Sequence, residues 1–442
     1  MSQPGAARPP RAVVLVGNPA SPYSRGLRIA RTLVTAGYVV EIAAVALDGL
    51  PEREPGEGWQ IRRYRASGPW ARVGGSPGPG HTDQGPAYPR SGGPVGRLLR
   101  RTVGLAAALR RWTFWPQTVR GWWATLGREL EPADLYHACG SLTLAAALRA
   151  RRRAPVGPAG LPAAVIYDAI DDVFESNNVL DMPRPWRAWH ARRETRWAHA
   201  ADAVITVNEA LAARLGARWG IRLAPDVVPN YPEARADGGG TSAANATLDP
   251  IRIELGLPAA TRVILFQGRL GPRLGLDEAA EAVLLLPNAA LVLLGFGRSF
   301  ERECARDREP RFTGRHFTLP ARHPDELLGW TAAADVALVP LPPVSVNQRL
   351  SSPNKFWEAL VAGTPVVVPA ALSYMAEIVR ERDLGIVAAS AGAADLALAI
   401  SACLARLATD PGWRARIRAT AGRDYTWPVA ATTYRKVVAR LA

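Results

Sequence analysis

A chain of 442 residues exceeds what one hydrophobic core usually supports, so two domains are expected. Its 48% hydrophobic and 21% charged content excludes a disordered chain, and no run of about 18 uncharged apolar residues occurs, which excludes a membrane-spanning helix. The formal charge of +15 admits nucleic acid, an anionic membrane surface or anionic substrates, or reflects arginine-rich composition alone. No helix-turn-helix, zinc-finger, RRM or KH signature accompanies that charge, so nucleic acid is not expected as a partner. The three cysteines (Cys139, Cys304, Cys403) are widely spaced, with no metal-like or disulfide-like pattern. They suit a reducing cytoplasm, and the short apolar run after Arg8 and Arg11 does not read as a secretory signal.

Residues 12–16 form a continuous apolar strand, followed by a Gly/Pro/Ser loop, a helix from about Arg25 to Ala36 and a strand from Val39 to Val45. This βαβ opening predicts a parallel, doubly wound α/β sheet. The loop carrying Gly17 and Asn18 lies at the carboxyl end of the first strand, where such sheets bind ligands. It is not G-x-G-x-x-G, so a nicotinamide or flavin cofactor is not expected. Residues 66–96 are dominated by Gly, Pro and Ser and read as a flexible insertion. The segment 97–128 crowds arginines among Trp112, Phe114, Trp115, Trp122 and Trp123. Such helices suit a membrane interface, or else pack their tryptophans into the domain core. A strand begins near Asp134, with His137 inside it, and the buried strand 163–168 ends in three acids, Asp168, Asp171 and Asp172. Carboxylates at a strand end are candidates for a site, and equally for a solvated turn.

Residues 233–249 form the best linker, after which the strand–helix alternation restarts. Val263–Phe266 is followed by Gly268-Arg269, and Leu291–Leu294 by Gly295-Phe296-Gly297. Next comes a helix with both ends marked: Ser352 as N-cap, Pro353 in the first helical position, Gly363 as the left-handed stop and Pro365 beyond it. Lys355 lies in its first turn, although Lys355 and Lys436 are the only lysines of the chain. A cation there is disfavoured by roughly 0.3–1 kcal/mol unless something negative is bound. Lys355 therefore marks an anion site, phosphate above all, or else pairs with Glu358 on an exposed face.

Two such domains, Gly268-Arg269 after one strand, Gly295-x-Gly297 after the next, and Pro353-Asn354-Lys355-x-x-Glu358 ahead of Gly363-x-Pro365 resemble the GT-B glycosyltransferases of the GT4-like group. The resemblance implies two Rossmann-like domains facing across a cleft. The first, 1–232, would bind the acceptor; residues 233–250 would link it to a nucleotide-sugar domain, 251–423; and a terminal helix, 424–442, would cross back. It further implies a nucleoside-diphosphate sugar as donor, a sugar or lipid-linked acceptor, and no cofactor or metal. Arg269 and Lys355 would neutralise the diphosphate, and Glu358 would bind the ribose hydroxyls. Gly268, Arg273, Gly295, Phe296, Gly297, Ser352 and Asn354 would complete the donor side. Gly17, Asn18, His137 and Asp168 would face the acceptor, and Asp171 and Asp172 are the remaining catalytic candidates.

The chain departs from the group's pattern where an acid is common eight positions before Glu358; here that residue is Leu350. Leu274 replaces the lysine expected before Gly275, with Arg273 as its substitute, and His137-Ala138-Cys139-Gly140 replaces a His-Ala-His-Asp run. The acidic form Tyr167–Asp172 is similar to a subset thought to act on cell-surface polysaccharides. The expected activity is retaining, metal-independent sugar transfer to a polysaccharide, glycolipid or similar acceptor by a cytoplasmic protein, peripheral on the inner face of the membrane. The alternative is a catalytically silent binding or scaffold protein of the same fold.

Overall fold

The computed structural model describes residues 8–21, 23–67, 112, 116, 118–160, 162–222, 224–233 and 249–441. The insertion expected at 66–96 lies outside them beyond residue 67, as do 97–111, 113–115 and 117 of the basic segment and 234–248 of the linker. The chain divides into two compact units, Met1–Val228 with Ala431–Ala442, and Pro229–Ala430.

The first unit is built on an eight-stranded sheet in the order β3-β4-β2-β1-β5-β6-β7-β8. Its strands are β1 (Arg11–Val16), β2 (Val39–Val45), β3 (Arg53–Pro55), β4 (Trp59–Tyr64), β5 (Leu135–Cys139), β6 (Ala164–Ala169), β7 (Ala203–Thr206) and β8 (Asp226–Val227). All neighbours run parallel except β3 against β4. The central strands β1, β5 and β6 are almost wholly buried, as parallel strands covered by helices on both faces must be. The β3–β4 pair went unpredicted because its residues, Arg53-Glu54-Pro55 and Trp59–Tyr64, carry neither an apolar run nor strict alternation.

The second unit has a six-stranded, all-parallel sheet in the order β11-β10-β9-β12-β13-β14. Its strands are β9 (Arg262–Arg269), β10 (Ala289–Phe296), β11 (His316–Pro320), β12 (Val336–Leu338), β13 (Val366–Pro369) and β14 (Gly385–Ala388). Val263, Leu265, Val292, Leu294 and Trp330 form a core cluster on one face of this sheet. The helix Trp427–Ala439 closes the chain, and its residues from Ala431 onward belong to the first unit.

Packing decides between the two readings of the tryptophan-bearing segment for the rings described. Residues 118–129 are helical, and Trp122 is 1% exposed and Trp123 6%. Trp112 is buried against Val179 and Met182, and Trp123 Nε1 donates to the Leu142 carbonyl at 2.8 Å. Burying these large rings releases more water than leaving them on the surface, so of the two readings of this segment they follow the core one. Trp115 lies outside the described residues. Among the described residues the exposed tryptophans are instead Trp186 and Trp189, on the helix Arg184–His199.

Capping is local and testable at the helix Glu209–Trp219. Asn208 accepts from the Leu211 N–H at 2.8 Å, and Gly220 closes the other end in the left-handed conformation. Asn208→Ala is expected to lower the unfolding free energy by about 1 kcal/mol in a urea titration. An unchanged midpoint would show that the cap contributes nothing.

Candidate functional site

In the second unit the register of β9 and β10 sets the predicted donor residues side by side. Gly268 pairs with Gly295, and Arg269 with Phe296, at the carboxyl ends of both strands. Gly295 is required by the backbone itself: a Cβ there would lie 1.9 Å from the Gly268 carbonyl oxygen. Gly297 has φ +125°, and a Cβ there would lie 2.5 Å from the Leu270 carbonyl oxygen and 3.3 Å from Arg269 Cγ, so a side chain would be strained and would crowd both. Arg269 and Phe296 are exposed at this edge.

The helix marked by Lys355 runs Asn354–Ala362. Its start differs by one residue from the expectation: Pro353, with ψ 152°, is the N-cap, Ser352 is a buried residue before it, and no side chain caps the helix. A proline in extended conformation cannot be the first helical residue, so the helix begins at Asn354, whose side-chain carbonyl accepts from Asn230. The far end is as expected, with Gly363 at φ 74° and ψ 24°. Phe356, Trp357, Ala359 and Leu360 are buried, and Trp357 packs edge-on against Tyr231 and tilted against Tyr425. That anchored face turns Lys355 and Glu358, three residues apart, toward β9.

The Lys355 ammonium lies 3.4 Å from the centroid of the Phe266 ring and beside Gly268. Burial pushes its pKa down from 10.5 to about 7, Glu358 opposes the shift, and Arg269 adds to it. A lysine held beside an arginine in this way is a cation in want of an anion. Glu358 accepts from Gln267 Nε2 at 2.6 Å, and Thr331 donates to Gln267 Oε1 at 2.7 Å, so the glutamate is aimed by a chain of side chains beneath it. Neither Phe266 nor Gln267 was expected in the site. Both read as ordinary strand residues until the helix is laid across β9.

Arg273 is exposed with a left-handed backbone (φ 62°), and Gln348 Nε2 holds its carbonyl at 3.1 Å. That conformation is sparsely populated for a residue with a side chain and costs on the order of 1 kcal/mol. Leu350, where an acid was expected, ends the short helix Val346–Leu350.

In the first unit the acids after β6 have partners already. Asp168 is fully buried, and its two oxygens receive Arg25 Nε at 2.7 Å and Nη2 at 2.8 Å. Arg25 Nη1 donates to the Val228 carbonyl at 3.0 Å. His137, also fully buried, sits with Nε2 3.3 Å from Asp168 and Nδ1 3.0 Å from the Tyr434 hydroxyl. Burial alone would raise the Asp168 pKa; Arg25 and the His137 hydrogen bond outweigh it and hold the carboxyl below its ordinary range. His137 and Asp168 are therefore a buried tie within the unit, not the acceptor-facing pair expected. Cys139 Sγ joins them, and one atom from each of the three residues falls within 4.8 Å of the others. The Arg25 guanidinium already supplies the positive charge that a metal would bring to Asp168.

Asp172 is likewise buried. It pairs with Arg218 and, at 3.3 Å, with Arg214, while Arg218 also binds the buried Glu194. This ion cluster pins the helices Arg184–His199 and Glu209–Trp219 and gives Asp172 a structural place rather than the catalytic one expected. Asp171 is half-buried, so of the three acids it is the one that keeps solvent contact. Gly17 is partly exposed next to Thr143, and Asn18 accepts from the Ala20 N–H at 2.8 Å, closing the turn after β1.

Residues 261–406 match the family model described as glycosyl transferases group 1. No curated protein matches the chain. Among solved structures it is similar to sucrose-phosphate synthase from Thermosynechococcus elongatus, with 18% identity, TM-score 0.63, and coverage of 98% of this chain and 99% of that one. HepE from Anabaena, in complex with UDP-glucose, aligns at 14% identity and TM-score 0.62 over 98% and 100% of the two chains. The catalytic domain of starch synthase IV from Arabidopsis thaliana, bound to ADP and acarbose, aligns at 13% and 0.62 over 98% and 99%. The chain thus has the GT-B fold, and the match to the glycosyl transferases group 1 model falls within its second unit.

Proposed function

We propose that the protein transfers a hexose-type sugar from a nucleoside-diphosphate sugar to a cell-surface polysaccharide, glycolipid or similar acceptor, with retention at the anomeric carbon. The observation that carries this reading is the meeting of Lys355, Arg269 and the start of the helix Asn354–Ala362 at the carboxyl end of β9. Two cations and the positive end of a helix stabilise the charge that develops on a departing diphosphate, the role a divalent ion fills elsewhere. Glu358, aimed by Gln267, accepts from the ribose hydroxyls. Asp171, which keeps solvent contact, meets the sugar or acceptor. The protein would work in the cytoplasm, at the inner face of the membrane. HepE was solved with UDP-glucose and starch synthase IV with ADP, so proteins of this fold use different bases.

The test is a panel of UDP-, GDP- and ADP-sugars with purified protein, read as released nucleotide. Release from at least one donor is expected; no release, with no binding of UDP, GDP or ADP by calorimetry, overturns the reading. Leu350 favours a second reading, a catalytically silent binding or scaffold protein. Nucleotide binding without turnover on any donor would select it.

A further inference from the structure

A cavity of about 430 Å³ in the first unit lies between the helical segment 118–129, the start of the helix Ser141–Arg153 and the helix Arg184–His199. Its size is that of a small-molecule site. Its walls are mainly aromatic, with Trp123, Phe174, Trp186, Trp189 and Trp197 among them. Cations are stacked into those walls: Arg193 lies 4.4 Å from the Trp189 ring and 4.8 Å from Trp197, and Arg149 lies 5.0 Å from Trp123. Trp123 and Trp197 meet edge to face at 6.0 Å, which joins the two stacks into one ladder. Trp186 and Trp189, 39% and 45% exposed, form the solvent end.

Charge here is one-sided. None of the described residues lining the cavity is Asp, Glu, Asn or Gln, whereas Arg120 and Arg193 both line it. Beyond burial, the charges that act on Arg193 are those of Arg120, Arg149 and Arg196, all positive. His190, pushed down to about 4 by burial and then by Arg193 and Arg120, is neutral at physiological pH. The carboxylate and amide side chains that fix several sugar hydroxyls at once are missing from the described lining. An apolar chain meets the rings without loss, and an anion balances the arginines.

We propose that this cavity receives an anionic lipid, with its phosphate against Arg120 and Arg193 and the first part of its chain among the tryptophans. Resting on the transferase reading, that lipid is the acceptor or the carrier of the acceptor.

The test uses the full chain and follows tryptophan fluorescence during titration with dodecyl phosphate, dodecyl maltoside, inorganic phosphate or maltoheptaose, each below micelle-forming concentration. Dodecyl phosphate is expected to bind at least tenfold more tightly than the other three. Arg193→Gln and Arg120→Gln should each weaken it about tenfold, the loss of one charged hydrogen bond. Trp189→Ala, at an exposed position that folding tolerates, should weaken it as well. UDP affinity should stay unchanged in all three variants. Equal binding of the maltoside or of inorganic phosphate, tighter binding of maltoheptaose, or an unchanged affinity in Arg193→Gln overturns the proposal. Donor turnover is measured on the same samples. Lipid binding lost with turnover intact removes this inference alone; turnover absent with lipid binding intact removes the transferase reading alone.

Discussion

Lys355→Met is expected to weaken binding of a nucleoside diphosphate about 10- to 100-fold, the loss of roughly 1.5–3 kcal/mol for a charged hydrogen bond. The effect should depend on pH. In the free protein the Lys355 ammonium titrates near 7, because burial and Arg269 disfavour its charge more than Glu358 supports it. A bound diphosphate reverses that balance. Above about pH 7 binding must then take up a proton, so affinity falls as pH rises, by up to about tenfold per pH unit. Calorimetry with UDP at pH 6.5, 8 and 9, in buffers of differing ionisation enthalpy, reads both affinity and proton uptake. Lys355→Arg, which cannot lose its proton, should flatten the profile. A flat profile in the unaltered protein would sink the assignment. The same group acts on folding with a definite sign. Its native pKa lies below the ordinary 10.5, so between about pH 7 and 10.5 the unfolded chain holds the extra proton and stability rises with pH.

The second large effect concerns the buried tie of the first unit. Asp168→Ala should cost about 3–5 kcal/mol in urea unfolding, because it strands the fully buried Arg25 guanidinium. Arg25→Met/Asp168→Leu, which removes both charges, should recover most of that loss. A double variant as unstable as the single one would show that the network acts through something other than charge. The Asp168 carboxyl is held below its ordinary 3.8, so this stability is complete above that pH and is lost as pH falls through the native value.

The contrast between these residues shows what could be read in advance. That Lys355 and Glu358 share a face was legible because both lie on one short helix, three residues apart. The places of Asp168 and Asp172 were not. Their partners Arg25 and Arg218 lie 143 and 46 residues away in sequence, and nothing near the acids reveals them. A strand end with three carboxylates looks the same whether they face a substrate or arginines brought over by a neighbouring helix. Trp122 and Trp123 stayed open between a membrane surface and the core for a related reason. An arginine-rich, tryptophan-bearing helix has one composition at a membrane and against a sheet, and only the second surface decides which rings it buries.

The chain by itself determined two α/β units, the parallel strands and the stop at Gly363. Each of these follows from periodicity or from a backbone rule that acts over a few residues. The tertiary structure decided the rest. It set Phe266 and Gln267 beneath the lysine and glutamate, consumed His137, Asp168 and Asp172 in buried ties, and gathered Trp123, Trp189 and Trp197 with Arg193 around one cavity. Those outcomes depend on which surfaces meet, and burial in low dielectric then fixes each charge according to the partner it has met.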